Sequence, residues 1–473
     1  MPRPVHIAAA GGELTVTDHA TAPHAALTRS LSWPHLIALG VGSIVGTGIL
    51  TLIGVGADRA GPAVLLSFAI AGAICACAAL AYAELAAMMP AAGSAYSYSR
   101  QVLGPTIGWI VGWSLILEYS LVVSTVAVGW SGYAAPLLEA VGLPAALVRG
   151  PELGGIVNLP AVLIIAVVAG LLAFGTHESA RINTLLVVVK ILTLGLFVAV
   201  ALPAFDASHL TPFMPYGFGK HLGPDGVERG VMAAAAIIFF AFYGFDAIST
   251  AAEETREPGR DLVIGILGSL AICTLVYVLV AAAAIGASPF TRFAQSPEPL
   301  ALILREMGRE GVARVVAIAA VIALPTVLLG FLYGQSRIFL AMARDGFLPA
   351  SLAALSSRGT PVRVTTMTAV VVAVLAGVLP ISEIAALANA GTLIAFAAVG
   401  VCLIVLRRRA PGANRPFRVP GGIAVAAAAV AGCLYLFISL PTKTLLACLA
   451  WNALGAVIHL LWGRRVGDRR SRG

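Results

Sequence analysis

Charged residues are scarce in this 473-residue chain, with Lys, Arg, Asp and Glu together making up 11% of it. A soluble domain carries about 25%, and a chain that is 59% hydrophobic with a mean hydropathy of +0.95 cannot cover its apolar atoms with so few polar groups. A soluble globular protein is therefore excluded. The net charge of +8 is scattered over short loops instead of one amphipathic face, so nucleic acid is not an expected partner. Cysteines are few. Cys75, Cys77, Cys273, Cys402, Cys433 and Cys448 all lie in apolar runs, where a thiol behaves as a small hydrophobe, and neither a disulfide nor a metal site is expected. Cys75 and Cys77, two apart on a helix, face different ways. Catalytic signatures are missing too, since there is no HExxH, no G-x-S-x-G elbow and no convincing pair of intramembrane acids. Gly40-Val41-Gly42 is followed by Val45 where a nucleotide loop needs its third glycine. The few intramembrane charges do not line a channel.

What the chain has in abundance is long apolar runs. A helix needs about 20 residues to cross the hydrocarbon, and twelve such segments fall near 35–57, 62–89, 106–132, 157–176, 183–203, 231–252, 261–286, 312–341, 365–380, 384–406, 421–440 and 442–462. The ninth is the shortest, which tilt or burial against neighbours would accommodate. Of the 30 Lys and Arg, Lys190 lies within a segment and nine (Arg59, Arg149, Lys220, Arg229, Arg292, Arg305, Arg309, Arg314 and Lys443) fall on the side away from the N-terminus. The remaining 30 − 1 − 9 = 20 share the N-terminal side. The positive-inside rule then puts both termini in the cytoplasm of a multi-pass protein of the cell inner or plasma membrane. Residues 1–30 lack the apolar core of a signal peptide and read as a flexible cytoplasmic tail, and 464–473 read as a basic cytoplasmic tail.

Two stretches rich in glycine and small residues interrupt apolar segments at matching places: Gly42-Ser43-Ile44-Val45-Gly46-Thr47-Gly48 and Phe242-Tyr243-Gly244-Phe245-Asp246-Ala247. In a bilayer, freed backbone groups are tolerated only where protein or a water-filled cavity surrounds them, so paired breaks point to a substrate site near the midplane of a secondary transporter. Each break opens a group of five segments, giving candidate inverted repeats over 31–206 and 229–410, with helices eleven and twelve over 420–463. Glycines at the first break let backbone N–H groups approach a carboxylate at the positive end of a half-helix. Close helix packing is the alternative for Gly42 and Gly46, four apart. Carbonyls of Phe240 to Tyr243 at the second break suit an ammonium, and together the breaks fit a zwitterion. Asp246 marks either a pathway or a structural network. Lys190, flanked by Val189 and Ile191, costs about 2.5–3.5 kcal/mol to place in a membrane centre. It either carries a movable charge for proton coupling or snorkels from about 10 Å inside the segment.

Several motifs carry a family resemblance: GSIVGTG at 42–48, YAELAAMMPAAGSAYSYS at 82–99, FFAFYGFDAISTAAEE at 239–254, RDLVIGI at 260–266 and YGQSRIFLAMARDGFLP at 333–349. From about Leu31 onward the chain resembles the amino acid–polyamine–organocation superfamily, and within it bacterial members of the cationic amino acid transporter family. The resemblance implies an all-α polytopic membrane protein with the leucine-transporter-like fold, a five-plus-five inverted repeat plus two C-terminal helices, and alternating access. It implies that Ile44, Gly46, Thr47 and Gly48 hold the substrate carboxylate and part of the amino group, and that carbonyls of Phe240, Ala241 and Tyr243 complete the amino site. Tyr243 departs from the aliphatic residue common in similar sequences. Lys190 stands where sodium-coupled relatives bind sodium, which implies a proton as coupling ion and no other cofactor. Glu118 matches a family carboxylate whose role is coupling or structural.

The same resemblance places Phe331 at the pocket-lining position of helix eight, where an apolar ring leaves no room or partner for a long cation. Proton-coupled uptake of small or apolar neutral L-amino acids is expected. A cationic amino acid carrier, an exchanger and a transporter-like amino acid sensor are the alternatives. Glu253 and Glu254 with Arg256 and Arg260, and Arg344 with Asp345, are candidates for an intracellular gate. Expected partners are the free amino acid and the lipid bilayer, with a small accessory membrane subunit or a homodimer as further options.

Overall fold

The computed structural model describes residues 6–9, 12–15, 31–91, 93–173, 180–252, 255–353 and 362–470. With no water to satisfy them, backbone groups in these apolar runs bond within the segment, and helices result. In chain order they are α1 (Trp33–Ile44), α2 (Thr47–Leu50), α3 (Leu52–Ala60), α4 (Val64–Met88), α5 (Ser94–Leu103), α6 (Pro105–Ala140), α7 (Leu159–Ala173), α8 (Ala180–Ala201), α9 (Val231–Ile238) and α10 (Asp246–Thr250). There follow α11 (Pro258–Ala287), α12 (Glu310–Ala323), α13 (Pro325–Arg344), α14 (Val362–Val378), α15 (Ile381–Arg409), α16 (Ile423–Ile438) and α17 (Thr442–Arg470). Prolines open α6, α11 and α13, where a missing N–H is harmless.

Each expected crossing has its helix or helix pair, and the molecule is an all-α polytopic membrane protein. Two differences have plain causes. The eighth segment divides at Leu324, because Pro325 begins a new helix and cannot continue the old one. Helix α17 continues through Arg464 to Arg470, where a separate tail is expected, because arginine is a good helix former and no proline interrupts the run, which tolerates Gly463 and Gly467. Within the expected N-terminal tail, His6–Ala9 pairs antiparallel with Gly12–Thr15; the rest of residues 1–30 lies outside the described residues.

Burial sorts the helices. The most apolar 18-residue windows of the Val231–Thr250 stretch and of α6 are 94% and 89% buried in protein, against 17% for that of the C-terminal span. Helix α6 packs against α15 and α13, and α4 against α11, α9 and α16. Leu446, Leu449, Leu454 and Leu460 of α17 are exposed, as lipid-facing positions are. Helix α17 nonetheless locks onto α6 through reciprocal indole bonds: Trp113 Nε1 donates to the Trp451 carbonyl at 2.8 Å, and Trp451 Nε1 to the Trp113 carbonyl at 3.0 Å.

A fully buried carboxylate, Glu84 near the end of α4, ties down the chain after α15. Its Oε1 accepts from Arg407 Nε at 2.9 Å and Arg415 Nε at 3.1 Å, and its Oε2 from Arg407 Nη2 at 2.5 Å and the Val419 amide at 2.8 Å. Removing one member of such a buried group leaves uncompensated charge and costs about 3–5 kcal/mol. Thermal unfolding in detergent should show Glu84→Ala strongly destabilised, while Glu139→Ala, which breaks the exposed pair with Arg149, leaves the melting temperature unmoved. Equal effects of the two would refute this division.

Candidate functional site

The first break is a change of backbone direction between α1 and α2. Val45 is extended (φ −74°, ψ 100°), Gly46 takes φ −154° and ψ −146°, and helix resumes at Thr47. Outside partners hold the carbonyls freed before it: Lys190 Nζ donates to Gly42 O at 2.8 Å and Tyr277 Oη to Ile44 O at 2.7 Å. The amides of Gly46, Thr47 and Gly48 donate no hydrogen bond among the described residues.

The second break follows α9 through a short 3-10 turn, Phe239–Ala241, and ends at Gly244, whose φ of +119° favours glycine. Asn389 of α15 donates to the carbonyls of Ala236 at 2.7 Å and Ile237 at 2.9 Å. Asp246, fully buried, accepts from the Gly244 amide at 3.0 Å and from Tyr119 Oη at 2.8 Å. The carbonyls of Phe240 and Tyr243 accept nothing among the described residues.

The two breaks touch backbone to backbone, and only glycine permits it. A methyl group on Gly244 would stand 3.1 Å from the Ile44 amide nitrogen, and one on Gly48 would overlap the Ala241 Cα. Between them lies a void of about 10 Å³, lined by Ser43, Ile44, Gly46, Thr47, Gly48, Val122, Val126, Phe240, Tyr243, Val327 and Phe331, without a charged side chain. Seven of the expected substrate residues thus come together. Ala241 is the eighth; it stands behind Gly48 and fixes the crossing. Phe331 is 2% exposed, its ring 5.2 Å from that of Tyr119 and 6.4 Å from that of Tyr243.

Lys190 lies outside this void. It is 4% exposed, so its ammonium does not reach the interface, and it bridges Gly42 O to Thr326 Oγ1 at 3.0 Å, joining α8 to α1 and α13. Glu118 on α6 is fully buried, and neither carboxylate oxygen has a hydrogen-bond partner among the described residues; the Tyr243 hydroxyl is equally unmet. Of the gate candidates, Glu253 and Glu254 lie outside the described residues. Arg260 pairs loosely with Glu257 at 3.8 Å. Asp345 accepts from Tyr96 and from Arg100 at 2.5 Å, joining α5 to the chain after α13, and the Arg344 side chain lies outside the described residues. On the far side a vestibule of about 570 Å³ descends to Thr51, lined among others by Arg59, Glu139, Arg149 and Glu298. Burial pushes the Glu298 carboxyl up, and the Arg305 guanidinium bonded to it pulls it back down.

Sequence reasoning missed Ser43, Val122, Val126 and Val327 as lining residues, Tyr277 and Asn389 as partners of the freed carbonyls, and Tyr96 and Arg100 as partners of Asp345. Val122 and Val126 share a helix face, but Leu121, Val123, Ala127 and Val128 on other faces are just as apolar, so nothing distinguishes them. Asn389 was findable, as a lone amide in an apolar run.

Comparison with known proteins agrees with this architecture. The family model described as Amino acid permease matches residues 31–458. The branched-chain amino acid permease BcaP of Bacillus subtilis (strain 168) is 42% identical over 453 residues, 94% of this chain and 95% of the relative. The methylthioribose transporter of the same organism is 38% identical, covering 93% of this chain and 94% of the relative. Cationic amino acid transporter 3, mitochondrial, of Arabidopsis thaliana is 37% identical over 82% of this chain and 64% of its own length. With motifs, helices and relatives in accord, the chain belongs to the amino acid permease family of the amino acid–polyamine–organocation superfamily, and it is a transporter, not an enzyme.

Proposed function

We propose that the protein carries small or branched apolar neutral L-amino acids by alternating access around the void between its two breaks, with protons as the driving ion. One observation carries the reading: a cavity that presents unpaired amides at 46–48, unpaired carbonyls at Phe240 and Tyr243, and otherwise only apolar walls with one hydroxyl each from Ser43, Thr47 and Tyr243. The amides suit a carboxylate and the carbonyls an ammonium. The walls of Val122, Val126, Val327 and Phe331 suit an aliphatic side chain and offer a long cation no partner. Two similar proteins bear the name branched-chain amino acid permease, from Bacillus subtilis and from Lactococcus lactis, which supports an aliphatic substrate.

In this reading the interrupted segments begin two inverted repeats, 31–206 and 229–410, of a leucine-transporter-like fold, followed by α16 and α17, with both termini in the cytoplasm. The Asp345 closure then lies inside and the vestibule outside. Lys190 is the coupling residue: proton loss would take the charge from its bonds to Gly42 O and Thr326, weaken them and so loosen α1 from α8 and α13. Asp246 holds the second break in shape through the Gly244 amide. Glu118, buried beside Tyr243 without a partner, is the second candidate for a proton carrier.

Uptake into sodium-free proteoliposomes separates the readings. Labelled isoleucine and alanine should accumulate under an inward proton gradient while arginine and methylthioribose do not. Lys190→Ala, losing hydrogen bonds from a charged group worth about 1.5–3 kcal/mol, should cut gradient-driven uptake roughly tenfold or more. Arginine accumulation would overturn the pocket argument, and sodium dependence or full activity without Lys190 the coupling argument. Phe331→Ser should admit larger side chains; unchanged selectivity would remove Phe331 from the pocket. Gly48→Ala overpacks the crossing at a cost of about 1–3 kcal/mol, so isoleucine affinity should fall roughly tenfold with the protein still folded, and unaltered affinity would show that the crossing does not shape the site.

A further inference from the structure

The void between the breaks is much smaller than the charge-lined vestibule beside it. The vestibule above it, at about 570 Å³, falls within the range of about 300–1,000 Å³ typical of ligand sites. It is bounded on one side by a single face of the first segment, where Thr51, Val55, Asp58 and Arg59 recur at helical spacing, and on the other by Ser131, Gly132 and Glu139 of α6. Its floor is shut: Gly129 lies directly against Thr47, and Tyr133 Oη donates to the Leu50 carbonyl at 2.6 Å. An amino acid arriving from this side meets the vestibule before the inner void can open.

Most charges around the vestibule are already matched. Glu139 accepts two bonds from Arg149, at 2.6 and 2.7 Å, and Glu298 accepts from Arg305. Arg59 is different. Its Nη1 donates to the Glu228 carbonyl at 2.7 Å, but its Nε has no partner and no carboxylate pairs with it within 4.0 Å among the described residues. A guanidinium offers five donors in a fork that fits a carboxylate. Beside it, Asp58 is only loosely met, by Arg229 at 3.9 Å. Val55, Val128, Leu379 and Ile381 supply an apolar wall. An under-used cation, an under-used anion and an apolar surface in one cavity complement a zwitterion with an aliphatic side chain.

We propose that the vestibule holds a second, outer amino acid site, with the substrate carboxylate on Arg59, its ammonium on Asp58 and its side chain against Val55 and Val128. The inference rests on the amino acid transport reading. Occupancy of this site concentrates substrate at the shut floor, so that opening of the Thr47–Gly129 contact is followed by transfer inward instead of by a fresh encounter from solution. Arg59 and Asp58 therefore act on capture and leave the inner crossing of the breaks untouched.

Equilibrium binding of labelled isoleucine to the purified full chain in lipid nanodiscs tests it by stoichiometry. The parent should bind two molecules per chain and Arg59→Gln one, with the KM for uptake raised roughly tenfold and kcat unchanged, as the loss of a charge-assisted hydrogen bond gives. Arg59→Lys, which keeps the cation, should keep both molecules at reduced affinity. If Arg59→Gln does not fold, Val55→Trp fills the vestibule without touching the guanidinium and should likewise bind one. One molecule per chain in the parent, or two in folded Arg59→Gln or Val55→Trp, overturns the outer site while leaving transport standing. No binding of isoleucine, alanine or arginine by the parent would overturn the transport reading and the outer site together.

Discussion

Every backbone group that leaves a helix inside a membrane must find another partner, because neither water nor lipid supplies one. That constraint organises this molecule. Two segments give up helical bonding at the same depth, and the surrounding helices converge to receive what they release: Lys190 of α8 at Gly42 O, Tyr277 of α11 at Ile44 O, Asn389 of α15 at Ala236 O and Ile237 O, and Asp246 at the Gly244 amide. Four of the buried polar residues thus sit where backbone is freed. What remains unpaired, the amides at 46–48 and the carbonyls of Phe240 and Tyr243, is aimed at one void. The candidate site is thus where backbone groups freed by both breaks stay unmatched while their neighbours are bonded.

The same constraint joins binding to movement. Because the freed groups are satisfied by different helices, no break can shift alone. A displacement of α1 must release Lys190 from Gly42 or carry α8 and Thr326 with it, and a displacement of α9 must pull on Asn389. The glycine contacts make the coupling direct: Gly48 on Ala241 and Gly244 on Ile44 leave no slack between the two segments. Packed interfaces of this kind switch between discrete arrangements more readily than they deform.

Helical class, twelve crossings and the two breaks were legible in the sequence because they rest on composition and on local backbone chemistry: apolar runs of bilayer length, and glycines where a helix must open. Ile44, Gly46, Thr47, Gly48, Phe240, Tyr243 and Phe331 were placed together by motif, and they line one void. What escaped was contact between segments distant in sequence. Val122 and Val126 read like any other apolar pair, and the partner of Asp345 lies 245 positions back, at Arg100, behind a fold that spacing alone cannot trace. Pro325 could have warned that the eighth segment divides, since proline's effect on a helix is local.

The two charged assemblies of the N-terminal side differ in how far water reaches them. Glu84 is wholly buried and its partners Arg407 and Arg415 nearly so, with side-chain exposures of 11% and 6%, so separating them would strand charge in a low dielectric; such a joint is suited to stay made. Arg100 and Asp345 are 39% and 25% exposed, and water can take over when they part. An ion pair of that exposure contributes about 0–1 kcal/mol. Phe347 beside it meets Trp109 edge-on and His459 at a tilt, which adds apolar contact. The Arg100–Asp345 pair is thus a contact that solvent can replace, and the Glu84 cluster is one that it cannot.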